Sequence, residues 1–151
     1  MQFDWSLVLD HFLRLGAAML GGAVIGFERE VTGHWAGLRT HMAVALGAAT
    51  FAVLGESLSA GDPNALNRVL QGIATGVGFL GAGTILKLAG PQRIKGLTTA
   101  SSIWLAAAVG AVAGFARYEL LLACVALGLV VLAVLRPLSE RLGDDHVDKS
   151  A

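Results

Sequence analysis

The stretch GVGFLGAG, residues 76–83, separates two interpretations of the fold. Its glycines at 76, 78 and 81 match G-x-G-x-x-G, the fingerprint of a loop that holds the pyrophosphate of a dinucleotide. Such a site needs a buried strand before the glycines and an acidic residue about 20 positions after them. The preceding NRVLQGIAT lacks the β-branched character of a strand, and no Asp or Glu lies between Asp62 and Glu119. The motif therefore does not predict a nucleotide-binding enzyme.

The composition favours a membrane protein instead. Hydrophobic residues make up 55% of the 151 residues and charged residues 15%, with a mean hydropathy of +0.68. Soluble domains carry about a quarter charged residues. The net charge of zero gives no reason to expect a nucleic-acid partner. Cys124 is the single cysteine, so the chain can form neither an internal disulfide nor a cysteine metal cluster. We therefore expect the chain to lie in the lipid bilayer.

Five apolar stretches are long enough to cross a bilayer as helices. About 20 apolar residues cover the hydrocarbon core, because a helix rises about 1.5 Å per residue. The sequence predicts spans at residues 7–27, 38–58, 69–87, 97–115 and 120–138. Pro63 and Pro91 are expected in the connections between them. The predicted architecture is an all-α, polytopic transmembrane domain over residues 1–138, followed by a short cytoplasmic tail at 139–151.

Basic residues near the ends of the spans predict the orientation. Eight of the Lys and Arg residues fall in the connections after the first and third spans and in the tail, and the other three fall on the opposite side. Cytoplasmic loops carry the excess of basic residues. The sequence therefore predicts a multi-pass protein with its N-terminus outside and its C-terminus in the cytoplasm.

Glycines recur at the spacing that brings helices together. Helices in lipid associate through close van der Waals packing, and small residues let their backbones approach. Three pairs of glycines, on three different spans, are four residues apart and therefore share one helix face. The candidate packing glycines are Gly22, Gly26, Gly72, Gly76, Gly78, Gly81, Gly83, Gly110 and Gly114. The fifth span, rich in Leu and Val, is expected to be peripheral.

An internal repeat relates the second span to the fourth. GLRTHMAVALGAATFAVLG at 37–55 aligns without gaps on GLTTASSIWLAAAVGAVAG at 96–114, and nine of nineteen positions are identical. The first and third spans also share glycines at matching positions. This pattern predicts two helical hairpins in parallel orientation, related by a pseudo-twofold axis along the membrane normal. Chance similarity between two helices rich in small residues is the alternative.

A candidate polar network surrounds the connection between the first two spans. Arg39 sits at a helix start, where the dipole disfavours a cation, and Glu28 or Glu30 is the nearest carboxylate in sequence. One interpretation is a structural ion pair, and the other is a cytoplasm-facing polar pocket at the repeat axis. The members of this network are Glu28, Arg29, Glu30, Arg39, Thr40, Thr98 and Thr99.

Other polar residues are predicted inside or near the spans. Asp10 and Arg14 are four apart and can pair on one helix face, which offsets the cost of an arginine about two turns inside the first span. Gln71 and Thr75, also four apart, can bond to a neighbouring helix. Neither a catalytic group nor a cofactor is predicted. Metal-ligand spacing is also absent from the histidines His11, His34 and His41.

Four ordered motifs resemble the MgtC/SapB family of bacterial inner-membrane proteins. They are GFERE at 26–30, AGLRT at 36–40, GVGFLGAG at 76–83 and GLTTASSIW at 96–104. The resemblance covers residues 15–119 and implies a small, non-enzymatic protein linked to magnesium starvation and acid stress. One family member is linked to restraint of the proton-translocating ATP synthase. A membrane-protein partner of that kind, or a homo-oligomer, is therefore an expectation for this chain.

Two positions and the tail depart from the virulence-associated members. Those proteins have Asn where Thr98 stands and Cys where Leu105 stands, and they carry a cytoplasmic C-terminal domain that the short tail does not match. The expected function is modulation of a larger membrane complex or of ion homeostasis under magnesium or acid stress. The alternative is a transporter or channel component for a small ion such as Mg²⁺. The Ala, Gly and Thr content of the spans weighs against it, since Mg²⁺ prefers carboxylate and water oxygens.

Overall fold

The computed structural model describes residues 4–87 and 94–137. These residues form five α-helices and one two-stranded antiparallel ladder: α1 (Trp5–Val31), α2 (Leu38–Leu58), α3 (Pro63–Thr84), β1 (Leu86–Lys87), β2 (Ile94–Lys95), α4 (Leu97–Gly114) and α5 (Tyr118–Leu129). A short π-helix, Val130–Val134, continues α5. The predicted all-α class is confirmed, and the ladder only joins α3 to α4.

Three of these helices suit a bilayer in length and composition. Within the described residues, α1, α2 and α4 are long and apolar enough to cross a membrane. α3 has 22 residues, but Asn67, Arg68 and Gln71 lower its hydropathy. The apolar segment formed by α5 and the π-helix is shorter. The chain is thus a membrane protein, while the count of five spans and the parallel hairpin repeat stay predictions.

The bounds of α3 differ from those of the predicted third span at both ends. α3 begins at Pro63 rather than at residue 69, and it ends at Thr84 rather than at residue 87. The carboxylate of Asp62 caps the helix by accepting a hydrogen bond from the backbone N–H of Asn64 at 2.9 Å. Proline suits the first helical position, because an N–H there would have no intrahelical partner. Pro63 therefore starts a helix instead of lying in a connection.

α4 lies at the centre of the bundle and contacts the other four α-helices. Buried residues occur along its whole length, whereas α3 has only Gly81 buried. The core between α1, α2, α4 and α5 is made mainly of small and branched aliphatic side chains, among them Ala18, Ile25, Ala49, Val109 and Ala113. Alanine at these positions lets the helix axes approach closely.

Glycines of α1 lie where this helix crosses α2. A Cβ atom on Gly22 would lie 2.8 Å from the Cβ of Ala45, and one on Gly26 would lie 2.8 Å from the Cα of Leu38. Both distances are shorter than carbon atoms tolerate, so only glycine permits this crossing. The first hairpin is therefore held together at backbone contact distance.

Glycines of α4 have the same role against α2. A Cβ atom on Gly114 would lie 2.7 Å from the carbonyl oxygen of Ala49, and one on Gly110 would collide with the backbone of Ala45. Because backbone atoms cannot move aside as a flexible side chain can, these two glycines fix the distance between α2 and α4.

The glycines of α3 behave differently. A Cβ atom on Gly81 would lie 3.6 Å from the Cβ of Ala100, which is an ordinary contact. A Cβ atom would meet nothing within 4 Å at Gly72, Gly76, Gly78 or Gly83. In the described residues these four glycines therefore do not bring helices of this chain into close contact, which corrects the prediction. Gly72 and Gly76 instead line an apolar groove of about 710 Å³ between α2 and α3.

Candidate functional site

A cavity lined by both apolar and polar residues lies at one end of the bundle. The α1–α2 connection and the β-ladder form this end, which is called here the α1–α2 end. The volume of the cavity is about 570 Å³. Both Thr40 and Thr99 line it, as the pocket interpretation of the sequence predicted. None of its lining residues is acidic: they are Gly33, His34, Trp35, Ala36, Thr40, Gly83, Thr84, Lys95, Gly96, Thr99 and Ile103.

Two helices begin at this cavity without a side-chain cap. The N-cap residues are Gly37 for α2 and Gly96 for α4, and neither helix start has a capping side-chain hydrogen bond of its own. By contrast, Asp4 caps α1 and Asp62 caps α3. The first N–H groups of a helix have no intrahelical acceptor and form the positive end of its dipole. The cavity is therefore a place that favours negative charge.

Glu30 supplies a carboxylate to one of these two helix starts. Its Oε2 accepts a hydrogen bond from the backbone N–H of Leu38 at 2.7 Å. The predicted ion pair between Arg39 and Glu28 or Glu30 is not formed, since Arg39 is exposed and has no carboxylate partner among the described residues. The physical reason is that the unpaired N–H groups of α2 already attract the Glu30 carboxylate.

The arginine that is paired at this end is Arg29. Only 1% of it is exposed, and its Nη1 lies 3.3 Å from Oε2 of Glu28. Its Nε and Nη2, together with Oε1 of Glu28, have no hydrogen-bond partner among the described residues. Because a buried charge without a partner is strongly unfavourable, the two side chains depend on each other. The sequence identified both residues but assigned the wrong arginine to the ion pair.

His41 and Ser102 join α2 to α4. The fully buried imidazole places Nδ1 2.8 Å from the carbonyl oxygen of Gly37 and Nε2 3.0 Å from Oγ of Ser102. Since a carbonyl oxygen only accepts, we assign the proton of the neutral ring to Nδ1. The single hydroxyl proton of Ser102 then has two acceptors within reach, Nε2 of His41 and the carbonyl oxygen of Thr99 at 2.9 Å. The sequence predicted no role for His41, although helical spacing places it on the face of Ala45, Ala48, Ala49 and Ala52.

His34 lies at the edge of the cavity, in the α1–α2 connection. Burial and the neighbouring charge of Arg29 lower the pKa of His34 below its ordinary value of 6.5. Glu28 opposes this shift, and Arg136 adds to it. The imidazole is therefore neutral near pH 7. Lys95 is the lining residue that carries a positive charge.

A second polar cluster occupies the opposite end of the bundle. Nε of Arg14 lies 2.8 Å from Oδ2 of Asp10, the predicted partner, although the two are not aligned for a hydrogen bond. Nη1 of Arg14 donates to Oε2 of Glu56 and to the carbonyl oxygen of Gly114, 3.1 Å away. Arg14 thus ties α1 to α2 and α4. The sequence missed Glu56 because it lies 42 residues away from Arg14.

The remaining candidates do not join either cluster. Thr98 is exposed on the first turn of α4, and Gln71 is exposed on α3. Neither side chain forms a hydrogen bond with a described residue. In the described part of the chain, no group of three or more His, Cys, Asp or Glu side chains could hold a metal ion.

Comparison with known proteins identifies relatives among bacterial proteins. Protein SrpB of Synechococcus elongatus is 48% identical over 130 residues, which cover 79% of this chain and 69% of that protein. Protein MgtC of Salmonella paratyphi A is 36% identical over 145 residues, covering 96% of this chain and 61% of that protein. YhiD of Escherichia coli K12, named as a candidate magnesium transporter, is 38% identical over 145 residues, covering 90% of this chain and 65% of that protein.

The chain thus spans between 61% and 69% of the length of these relatives. No solved structure matches it. A model of the MgtC family matches residues 15–141, which include the cavity and the Arg29–Glu28 pair and begin one residue after Arg14. The chain therefore belongs to the MgtC family.

Proposed function

We propose that this protein is a non-enzymatic component of the bacterial inner membrane that modulates a larger membrane complex, or ion homeostasis, when magnesium is scarce or the medium is acid. Membership of the MgtC family and the three long apolar helices make it a magnesium-related membrane protein. The proposal adds the modulating role to this family membership.

The composition of the interior carries this proposal. α2 and α4 meet at backbone contact through Gly110 and Gly114, and alanine fills most of the space around them. In the described residues the charged side chains lie at the two ends, with Arg14 at one and Arg29 at the other. Mg²⁺ keeps several waters and prefers carboxylate oxygens. This interior therefore favours a docking protein over a dedicated magnesium pathway.

The proposed mode of action is association within the bilayer. The apolar groove between α2 and α3 has Gly47, Gly72 and Gly76 among its lining residues, so it presents backbone to an approaching helix. Helices in lipid associate through such faces. By family resemblance, the proposed partner is the proton-translocating ATP synthase. We also propose five spans, with the N-terminus outside and the C-terminus in the cytoplasm.

A transporter or channel component for Mg²⁺ is the second candidate. The name of the relative YhiD favours it. A pathway would then have to run between copies of the chain, or beside it, rather than through the middle of the described bundle.

Two measurements distinguish the candidates. The purified chain in liposomes is tested for Mg²⁺ influx, and the gene is tested for restoring growth of a deletion strain at low magnesium or acid pH. We expect restored growth without influx above that of empty liposomes. Influx well above that background would contradict the modulating role.

A groove variant makes the growth test specific. Gly76→Leu adds a side chain into open space, so it should fill the groove without disturbing the bundle. We expect normal protein abundance and loss of growth restoration. Gly16→Leu is the matched control, because a Cβ atom at Gly16 also meets nothing within 4 Å but this residue lies outside the groove. Equal loss with both variants would count against docking at the groove.

A further inference from the structure

The start of α4 lacks the carboxylate that the start of α2 has. At α2, Glu30 accepts a hydrogen bond from the N–H of Leu38. At α4, the N-cap is Gly96, and no side chain caps the helix. The hairpin that contains α4 has no carboxylate of its own to offer, because no Asp or Glu occurs between Asp62 and Glu119. The positive end of the α4 dipole thus faces the cavity without a negative charge from its own hairpin.

An independent observation comes from Thr99. This residue lines the same cavity and is only 8% exposed, yet its hydroxyl forms no hydrogen bond with a described residue. By contrast, some hydroxyls in the helices bond to a carbonyl of the preceding turn, as Thr50 does to Leu46 and Ser101 to Leu97. The oxygen of this hydroxyl is not enclosed by protein atoms, so it opens into the cavity. A ligand atom that accepts a hydrogen bond in the cavity would satisfy it.

The charges of the residues that line the cavity determine whether the ligand is an anion or a cation. Lys95 lies directly before the N-cap residue Gly96, so its ammonium group belongs to the same helix start. Among the described residues, the lining contains no Asp or Glu, and His34 is neutral near pH 7. An anion is therefore attracted by a full charge and by a helix dipole together. The volume of about 570 Å³ is that of a small-molecule pocket.

From these features we propose that the cavity at the α1–α2 end binds a phosphate group. Its several oxygens can accept together from the free N–H groups of α4, the Lys95 ammonium and the Thr99 hydroxyl. The group belongs either to a soluble phosphate compound or to the headgroup of an anionic phospholipid, since both offer the same oxygens. This binding is separate from the proposed docking function, because it is measured on the purified chain without a partner.

The first arm of the test uses inorganic phosphate. Purified full chain in phosphatidylcholine nanodiscs is titrated with phosphate at constant ionic strength, and binding is followed by calorimetry and by the melting temperature. Thr99→Val and Lys95→Gln should each weaken binding about tenfold, the scale of one hydrogen bond to a charged group. Thr50→Val and Arg117→Gln are matched controls away from the cavity and should change binding less than about twofold. Thr99→Ser keeps the hydroxyl and should keep the affinity.

The second arm uses the lipid itself. Without inorganic phosphate, the melting temperature is compared between phosphatidylcholine and phosphatidylglycerol nanodiscs. A stabilisation by phosphatidylglycerol that Thr99→Val and Lys95→Gln remove identifies a headgroup as the ligand. Lys95 is exposed, so Lys95→Gln should fold normally. This variant therefore tests binding even if Thr99→Val reduces folding. Absence of binding in both arms, or equal weakening by Arg117→Gln, overturns the proposal, and neither result bears on docking at the groove.

Discussion

Polar side chains inside this bundle find partners on other helices. His41 bonds to Ser102, 61 residues away, and Arg14 bonds to Glu56, 42 residues away. Sequence spacing could predict the pair between Arg14 and Asp10, because residues four apart share a helix face. It could not predict partners that only the packing of helices brings together. The exposed Arg39 shows the same limit, since Glu30 was named as its candidate partner but bonds to the backbone N–H of Leu38 instead.

Replacing Ser102 by Ala should destabilise the protein, because the buried Nε2 of His41 then loses its partner. The expected cost is about 1–3 kcal/mol, the penalty for a buried polar atom without a hydrogen bond. The neighbouring Ser101→Ala is the control, since Ser101 is exposed and bonds only within its helix. Thermal unfolding in detergent measures both variants. Equal melting temperatures for the two would refute a stabilising role of the His41–Ser102 bond.

Replacing Arg14 by Gln should also destabilise the bundle, because it removes the link from α1 to Glu56 and to the carbonyl of Gly114. The carboxylates are nearly half exposed, so solvent screening limits the expected loss to about 1 kcal/mol. Arg68→Gln is the control, since the exposed pair of Arg68 and Asp62 is 3.8 Å long and should contribute almost nothing. A loss for Arg68→Gln as large as that for Arg14→Gln would contradict this assignment.

At the scale of the elements, the length of the apolar run predicted the bounds of α2 correctly. The glycines of α3, by contrast, led to a wrong prediction of its contacts. α2 has the predicted bounds, because Gly37 precedes it and polar Ser59 follows its apolar run. α3 was predicted to start too late, since its first turns are polar although Asp62 and Pro63 are a strong helix start. Glycine pairs four apart occur on α1, α3 and α4, yet only those on α1 and α4 are in close contact with another described helix. The spacing of two glycines shows that they share one helix face. Whether that face contacts another helix depends on how the helices pack.

Replacing a packed glycine and an open glycine by alanine should change the stability of the protein in opposite directions. Gly114→Ala places a Cβ atom 2.7 Å from the carbonyl oxygen of Ala49, so we expect a loss of about 1–3 kcal/mol from overpacking. Gly76→Ala puts a methyl group in open space inside α3, where alanine stabilises a helix by about 0.5–1 kcal/mol relative to glycine. Melting temperatures in detergent should therefore fall for the first variant and hold or rise for the second. A fall for Gly76→Ala would show that α3 packs more tightly than described.

At the scale of the whole molecule, composition was enough to predict an all-α membrane protein, and four sequence motifs were enough to predict its family. The position of α4 at the centre of the bundle was not predicted, since α2 and α4 are both rich in alanine, with five alanines in 21 residues and six in 18. The cavity at the α1–α2 end was foreseen only as one of two interpretations. Thr40 and Thr99 indicated the cavity, because each lies near the start of its helix on the side of the membrane predicted to be cytoplasmic. Nothing in the sequence indicated that Lys95 would line the cavity.

Five spans, with the cavity on the cytoplasmic side, are tested most directly by labelling single cysteines in intact cells. In a Cys124→Ala background, cysteine replaces Asn64 or Arg117 at one end of the bundle and Trp35 or Lys95 at the other, all of them exposed. A membrane-impermeant maleimide should label the first two positions, and should label the other two only after the membrane is broken. Labelling of residues 35 and 95 in intact cells, or of only one residue in either pair, would contradict the five-span arrangement.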